Sequence, residues 1–398
     1  EDVLLPTDEK RLISGYIATV RAHYALTNEE IPRAIQQAQE ALRLLPGDRY
    51  FTRGTAAVAL GGAYWAIGDR SSAEQAFAEC ATNALKGGYP LRASSALCYV
   101  GMQRAKQAKL LKAQEAYRKA LALSQGPGGK YFPNAGYPLV KLGELACEWN
   151  DMEQARRNVE RGLNYCLQLG HVDLLAEAHV ARARVQLAQR DFAGAEETLQ
   201  RADQLLRETN VDPWTVCWLD DCRLRLWLST GRQEEAISWA EMSGLRVDDQ
   251  FNYQHDLEHT NLARVLVAQA MRQPRGTPLD EALHLLDRLL AAAEAAGWIH
   301  EEIKILVLQS LARQARGDRE GAFRALAQAL ALAEPDGYVR IFINEGSPMG
   351  ELLRQASARG INPDYVNRLL AALEPEMADE LPLTQSASAA LIEPLSER

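Results

Sequence analysis

The stretch from Gly54 to Ala84, GTAAVALGGAYWAIGDRSSAEQAFAECATNA, predicts two short helices folded back against each other. Small and apolar residues recur at the i, i+3, i+4, i+7 spacing from Ala57 to Tyr64 and again from Ala73 to Cys80, which is typical of amphipathic helices. Between them, Gly68 can take the left-handed conformation that ends a helix, and Asp69 can cap the next helix. The stretch therefore predicts an antiparallel helix pair.

Small residues set the distance between the two helices. Gly61 and Ala73 lack bulk where the helices meet, and Phe77 is expected to fill the space between this pair and the next. A bulky side chain in place of Ala73 would overpack the pair at a cost of about 1–3 kcal/mol. We expect these positions to define the architecture rather than to bind a ligand.

The alanine at the start of the second helix recurs along most of the chain. Its equivalents are separated by 39 to 46 residues, and the residue four positions later is apolar each time. These alanines are Ala34, Ala73, Ala113, Ala155, Ala195, Ala236, Ala282 and Ala322. Such a steady period over eight units predicts a helical solenoid. We expect an all-α, right-handed superhelix of about eight helix pairs with a short C-terminal helical extension.

Three places interrupt the period, one of which is the 46-residue spacing that comes from residues 241–255 and from the loop between Arg272 and Pro278. Residues 125–138 contain three prolines and four glycines, which should exclude helix. The repeat stops after Gly337, and three or four shorter helical pieces are predicted to follow, at Tyr338–Asn344, Met349–Ala358 and Pro363–Leu373. We therefore predict a superhelical domain over 1–335, a C-terminal helical extension over 336–380 and a linker over 381–398.

Composition excludes several classes of function. The net charge is −9, without a basic block, so the chain lacks the phosphate-neutralising surface that direct nucleic-acid binding requires. Its apolar runs are shorter than the roughly 18 residues of a membrane span. The six cysteines are scattered and form no CxxC motif, and we interpret them as small buried side chains of a cytoplasmic protein.

Motifs for catalysis or metal binding are weak. Gly126–Lys130 lacks the spacing of a phosphate-binding loop. His255 and His259 stand at i, i+4 and could share a metal, but HDLEH differs from the HExxH motif, and we interpret them as polar helix residues. We predict no catalytic residue, no metal site and no enzymatic activity in this chain, although residues from distant units could still converge.

In a superhelix of this kind the first helix of each pair lines the concave groove. Projecting the template unit onto the others predicts a set of aromatic and charged groove residues. They are Trp65, Met102, Tyr137, Glu144, Glu177, Arg184, Trp218, Asp221, Arg225 and Arg264. Aromatic rings beside carboxylates and guanidinium groups suit a sugar or another polar small molecule, through stacking and paired hydrogen bonds. They suit a peptide equally well.

Structural roles for some of these residues stay open. Arg225 and Asp221 stand at i, i+4 and can pair with each other. Arg264 can pair with Glu302 of the next unit. Trp149 lies next to a predicted turn, and we interpret it as a packing anchor between units.

The template unit resembles the tetratricopeptide repeat (TPR) at Leu60, Gly61, Tyr64, Gly68, Asp69, Ala73 and Phe77, although the period here is near 40 residues rather than 34. Further stretches resemble the MalT-type, large ATP-binding LuxR-family transcription regulators. They are Glu144–Met152, Leu262–Leu266, Glu302–Gln309, Ala333–Phe342 and Asn344–Met349. The final residues, Glu393–Arg398, resemble the lead-in to a LuxR-type helix-turn-helix.

The resemblance implies that the superhelix is the sensor of a longer protein. An ATP-binding module is expected upstream and the helix-turn-helix downstream, so this chain itself needs no cofactor. Our first hypothesis is an effector-sensing and interaction domain that binds a small-molecule inducer, or a partner protein or peptide, in the groove and promotes self-association of the full regulator. The alternative is a constitutive protein-protein scaffold without a small-molecule switch.

Overall fold

The computed structural model describes residues 7–208, 213–251, 256–272 and 277–378. Most of the helices in these ranges pack in consecutive pairs. Eight such pairs follow one another, and each is a unit made of a first and a second helix. The helices are α1 Thr7–Thr27, α2 Ile31–Leu44, α3 Tyr50–Ala66, α4 Arg70–Lys86, α5 Pro90–Lys106, α6 Leu110–Leu123, α7 Gly136–Glu148, α8 Met152–Leu169, α9 Val172–Ala188, α10 Phe192–Glu208, α11 Pro213–Ser229, α12 Gln233–Ser243, α13 Asp256–Arg272, α14 Thr277–Ala296, α15 Ile299–Arg316 and α16 Arg319–Ala333. The prediction of an all-α superhelical repeat fold is confirmed.

The template alanines mark the contact between the two helices of each unit. All eight, from Ala34 to Ala322, are completely buried. Gly61 lies so close to Phe77 that an added Cβ would stand 2.7 Å from the ring. The equivalent pairs, Gly101 with Tyr117 and Gly143 with Val159, are as close. The repeat is therefore held by a small residue on the first helix facing a larger one on the second.

The turns inside the units share one backbone conformation. The residue five positions before the template alanine has a positive φ in seven of the units. It is Glu29, Gly68, Ala108, Asn150, Arg190, Gly231 and Gly317. The side chain of Asp69 then accepts a hydrogen bond from the backbone N–H of Ser72 at 3.0 Å, so it caps α4 as expected.

The connection between the third and fourth units contains more helix than the sequence predicted. Residues 125–138 were expected to contain no helix, yet Pro127–Gly129 and Pro133–Ala135 each form one turn of 3₁₀ helix. In addition, α7 begins at Gly136 and includes Pro138. Proline is tolerated there because the N–H groups of the first turn have no acceptor within the helix.

Three helices follow the eighth unit, namely α17 Arg340–Ile343, α18 Gly346–Ala358 and α19 Pro363–Ala378. Each contains most of one of the three helical pieces predicted after Gly337. The domain limits proposed at 335 and 380 stay predictions, and the predicted linker, residues 381–398, lies outside the described residues. No helix in the described ranges combines the length and apolar character of a membrane span.

The superhelix brings its eighth unit back against its second and third. The indole N–H of Trp298, just before α15, donates to the backbone oxygen of Gly68, and Lys106 at the end of α5 pairs with Glu301 at 2.7 Å. We call these four residues the seam. Because the seam joins distant units, it encloses the concave side of the superhelix.

Candidate ligand site

A cavity of about 610 Å³ lies on the enclosed, concave side of the superhelix. Residues of every unit from the second to the eighth line it, together with residues 338–348, which follow the eighth unit and which we call the C-terminal segment. Sites for small molecules in proteins usually measure ~300–1,000 Å³. The cavity is thus of a size for a small ligand, and its walls come from most of the chain.

Eight of the ten groove residues expected from the sequence line this cavity. They are Trp65, Met102, Glu144, Arg184, Trp218, Asp221, Arg225 and Arg264. Tyr137 and Glu177 do not line it. The hydroxyl of Tyr137 donates to Met102 Sδ at 2.8 Å and to Glu177 at 3.3 Å, so both residues support the lining from behind.

One charged network on the lining joins the fourth and fifth units. Lys141 pairs with Glu144 at 2.9 Å and with Glu177 at 2.8 Å, and Arg184 pairs with Glu144 at 2.8 Å. Burial raises the pKa of Glu144, but the two cations outweigh it, and the pKa lies below its usual range. The ammonium of Lys141 also lies over the ring of Trp218, 5.5 Å from its centroid. These contacts restrain the charged side chains on the cavity wall.

A second network joins the sixth and seventh units to the C-terminal segment. Arg225 bonds to both carboxylate oxygens of Asp221 at 3.2 Å, as the i, i+4 spacing predicted. Arg264 donates to both oxygens of Glu345 at 2.7 Å. The expectation that Arg264 pairs with Glu302 is therefore wrong. The C-terminal segment instead brings Glu345, 81 positions away in the sequence, to this guanidinium group.

The C-terminal segment is anchored on the end of α7. The backbone N–H of Val339 donates to the backbone oxygen of Glu148 at 3.1 Å, and that of Ile341 donates to the Glu148 carboxylate at 3.0 Å. Burial raises the pKa of this carboxyl to about 7, although the Ile341 N–H opposes the shift. Trp149 donates its indole N–H to the Asp336 backbone oxygen at 2.9 Å. Trp149 therefore serves as a packing anchor, as expected, but toward a segment almost 190 residues away.

A third charged group lies on the lining beside the seam. Glu301 accepts from Lys106 at 2.7 Å and from Lys304 at 2.9 Å. The adjacent His300 stays neutral, because burial lowers its pKa to about 3, and its Nδ1 lies 3.0 Å from the Tyr338 hydroxyl.

The sequence projection missed several polar and charged lining residues. Lys141 precedes Glu144 by three positions on α7, so helical spacing would have found it. His300 and Lys304 lie on the first helix of the eighth unit, which the projection omitted. Arg340 and Glu345 carry no repeat signal, because they belong to the C-terminal segment. Only the tertiary structure places that segment in the groove.

The candidate metal ligands and the cysteines can be located in the part of the chain that the structure describes. Within the described ranges, no three potential metal-ligating side chains come together. His259 is buried and lies 3.5 Å from Asp249, whereas its proposed partner His255 lies outside the described residues. All six cysteines are free and buried.

Comparisons with known proteins agree with this architecture. The model of the MalT-like TPR region family matches residues 15–359. The chain is 23% identical over 351 residues to the HTH-type transcriptional regulator MalT of Vibrio cholerae, covering 87% of this chain and 37% of that protein. It is 23% identical over 373 residues to MalT of Serratia proteamaculans, covering 90% and 38%. The chain thus spans less than two fifths of the length of these relatives.

Two solved structures share the fold. A Rap protein complexed with competence and sporulation factor superposes with a TM-score of 0.63 at 10% identity, covering 84% of this chain and 89% of that one. The Rap conjugation gene regulator in complex with the Phr peptide gives a TM-score of 0.53 at 13% identity, covering 81% and 95%. The family match covers most of the sequence, and the chain belongs to the MalT-like TPR region family.

Proposed function

We propose that this chain is the effector-sensing domain of a transcription regulator and that a small molecule binds in its central cavity. The observation that carries the proposal is the composition of the cavity wall. Seven of the eight units and the C-terminal segment contribute to it, so one bound molecule would contact most of the domain at once. Family membership supports the regulatory part, since the relatives of this chain are transcriptional regulators.

The C-terminal segment offers a route from the cavity to whatever follows the superhelix. It lines the cavity through Glu345 and Arg340, and it leads directly into α18 and α19. A ligand that binds more tightly to one arrangement of this segment than to another would shift their populations. Moving that balance from 1:99 to 99:1 requires a preference of about 5.5 kcal/mol. In the longer protein, we propose that this shift promotes self-association, whereas DNA contact belongs to a separate domain.

A peptide ligand is the second candidate. The groove already accommodates a stretch of polypeptide, because residues 338–348 lie along its wall with backbone hydrogen bonds to Glu148. Of the two structural neighbours, one is a complex with the Phr peptide and the other a complex with competence and sporulation factor. A peptide that displaces the C-terminal segment would also shift the populations of its arrangements, and it would therefore act as an effector.

Thermal-shift screening of the purified chain, followed by calorimetric titration, tests the proposal. The panel contains sugars, nucleotides, organic acids and short peptides. We expect at least one small molecule to stabilise the protein, and Trp218→Ala, at the cavity wall, to weaken its binding. Trp227→Ala is the matched control, because Trp227 packs against Arg232 within its own unit. Stabilisation by peptides alone would favour the second candidate, and stabilisation by nothing in the panel would favour a constitutive scaffold.

A further inference from the structure

The lining of the cavity is basic although the chain as a whole is acidic. Nine lysine and arginine side chains line it against four carboxylates, whereas the net charge of the chain is −9. Glu177 and Glu301 also pair with lining lysines from outside the lining. Even with these two included, cations exceed carboxylates by three. A cleft of one sign with low-dielectric walls concentrates ligands of the opposite sign.

The excess is greatest beside the seam. Lys106 and Lys304 share one carboxylate, that of Glu301. The side chains of Glu301 and Lys304 are only 9% and 11% exposed, and that of Lys106 is 29% exposed. Arg70 lines the same part of the cavity, and its guanidinium group lies over the Trp298 ring, 5.7 Å from the centroid. Two ammonium groups therefore depend on one partner, with a third cation close by.

The protonation behaviour of Lys106 agrees with a local surplus of positive charge. Its pKa is lowered to about 8; burial is the main cause, the charges of Lys304 and Arg70 contribute, and Glu301 opposes the shift. His300 adds no charge at neutral pH, because burial lowers the pKa of its imidazole to about 3. Arg70, Lys106 and Lys304 together therefore carry more positive charge than Glu301 balances, in a largely desolvated environment.

We propose that Arg70, Lys106 and Lys304 form a subsite for an anionic group, carboxylate or phosphate, of the effector. This inference rests on the proposed function and specifies the class of ligand. The three residues lie at the start of α4, the end of α5 and the first turns of α15. An anion bound among them would bridge the second, third and eighth units across the seam and would tighten the enclosure of the cavity.

The subsite can be probed with simple anions. Thermal shift and calorimetric titration would compare inorganic phosphate and citrate with sucrose, at a constant ionic strength maintained with sodium chloride. We expect both anions, or one of them, to bind saturably and sucrose to give no response at this subsite. Phosphate alone would identify a phosphoryl group, and citrate alone a carboxylate.

Single substitutions make the test specific. Lys106→Met should weaken anion binding roughly 10- to 100-fold, the range expected for one lost charged hydrogen bond. The fold should survive, because Glu301 keeps Lys304 as a partner. Lys119→Met, on the exposed face of α6, is the matched control. Glu301→Gln should tighten anion binding, since it removes the carboxylate that competes for both lysines. If Lys106, Lys304 and Glu301 had only a structural role, the same substitution would lower stability without changing anion affinity.

Two outcomes would overturn the subsite. One is the absence of any saturable response to either anion, and the other is unchanged anion affinity in Lys106→Met. If a neutral ligand from the wider panel still stabilises the protein and depends on Trp218, the proposed sensing function stands and only the anionic class is wrong.

Discussion

The indole N–H of Trp298 donates a hydrogen bond to the backbone oxygen of Gly68 at 3.0 Å, although 230 positions separate the two residues. Both residues are buried. The contact joins the residue before the first helix of the eighth unit to the turn of the second unit. Together with the Lys106–Glu301 pair, it encloses the cavity. In a stack of units that otherwise contact mainly their neighbours, this seam is a long-range constraint.

Trp298→Phe should weaken the seam. The variant removes one hydrogen bond and part of a buried ring, so the free energy of unfolding should fall by about 1–3 kcal/mol. Denaturant unfolding measures the loss, and hydrogen exchange should quicken in residues 68–72 and 298–302. Trp227→Phe makes the same chemical change within one unit and should leave exchange at the seam unaltered. If residues 68–72 and 298–302 were equally protected from hydrogen exchange in both variants, the Trp298–Gly68 contact would not constrain the superhelix.

Gly61→Ala should destabilise the second unit. Its Cβ would stand 2.7 Å from the Phe77 ring, and overpacking of this kind costs about 1–3 kcal/mol. Gly54→Ala lies in the same helix, where the nearest atom would be an ordinary 3.6 Å away. The free energy of unfolding of this control should rise by up to about 1 kcal/mol, because alanine has a higher helix propensity than glycine. Thermal unfolding compares the two, and a stabilising Gly61→Ala would refute the close approach.

The shared turn conformation predicts opposite effects for two substitutions. Glu29 is exposed and has φ 59°, where a side chain costs about 1–2 kcal/mol. Glu29→Gly should therefore stabilise the first unit by about 0.5–1 kcal/mol, less than the full cost because glycine loses more chain entropy on folding. Gly317→Ala, at φ 83° with open space around the added carbon, should destabilise by a similar amount. Unfolding midpoints that move in the same direction would show that the turns are not equivalent.

Glu148 should make stability depend on pH. Its pKa is raised in the folded protein from the ordinary value of 4.5 to about 7, so the folded state retains a proton that the unfolded chain has released. The contribution of this group to stability therefore falls as pH rises from about 4.5 to 7, by up to about 3 kcal/mol in total. Glu148→Gln keeps an acceptor for the Ile341 N–H and should remove most of this decline.

Glu144→Gln provides the contrast, because the folded pKa of Glu144 is lowered. Ionised Glu144 contributes stability above its ordinary pKa, and this contribution is lost as pH falls through the folded pKa. The substitution should therefore cost stability at pH 7 to 8, where Glu148→Gln should gain it. Urea unfolding at pH 5 and pH 8 measures both effects, and two variants that change in the same direction at pH 8 would contradict the assignment.

Glu345→Gln should release the C-terminal segment from the groove. The side chains of Arg264 and Glu345 are 7% and 10% exposed, and removing one partner of a buried ion pair typically costs about 3–5 kcal/mol. Limited proteolysis should then cut near residues 338–348 more readily. The double variant Arg264→Met, Glu345→Met should recover part of the loss, because it leaves neither charge of this pair buried. Unchanged proteolysis in Glu345→Gln would show that Glu345 does not hold the segment.

The residues that carry the repeat were predictable because their contacts are local. Ala73 and Phe77 face Gly61 across a single turn, and helical spacing alone brings them together. The same template placed eight of ten groove candidates on the cavity wall. The template did not anticipate that Tyr137 and Glu177 bond to each other behind the wall, or that the partner of Arg264 comes from outside the repeat.

The sequence by itself determined the helix pairs, their turns and the small residues at their contacts, because each unit is stabilised by its own helices and its neighbours. Tertiary structure alone decided that Trp298 meets Gly68, that Glu345 meets Arg264 and that the C-terminal segment occupies the groove. Small rotations between successive units add up over the whole superhelix. The residues that meet after a full turn depend on that sum, which no local pattern in the sequence records.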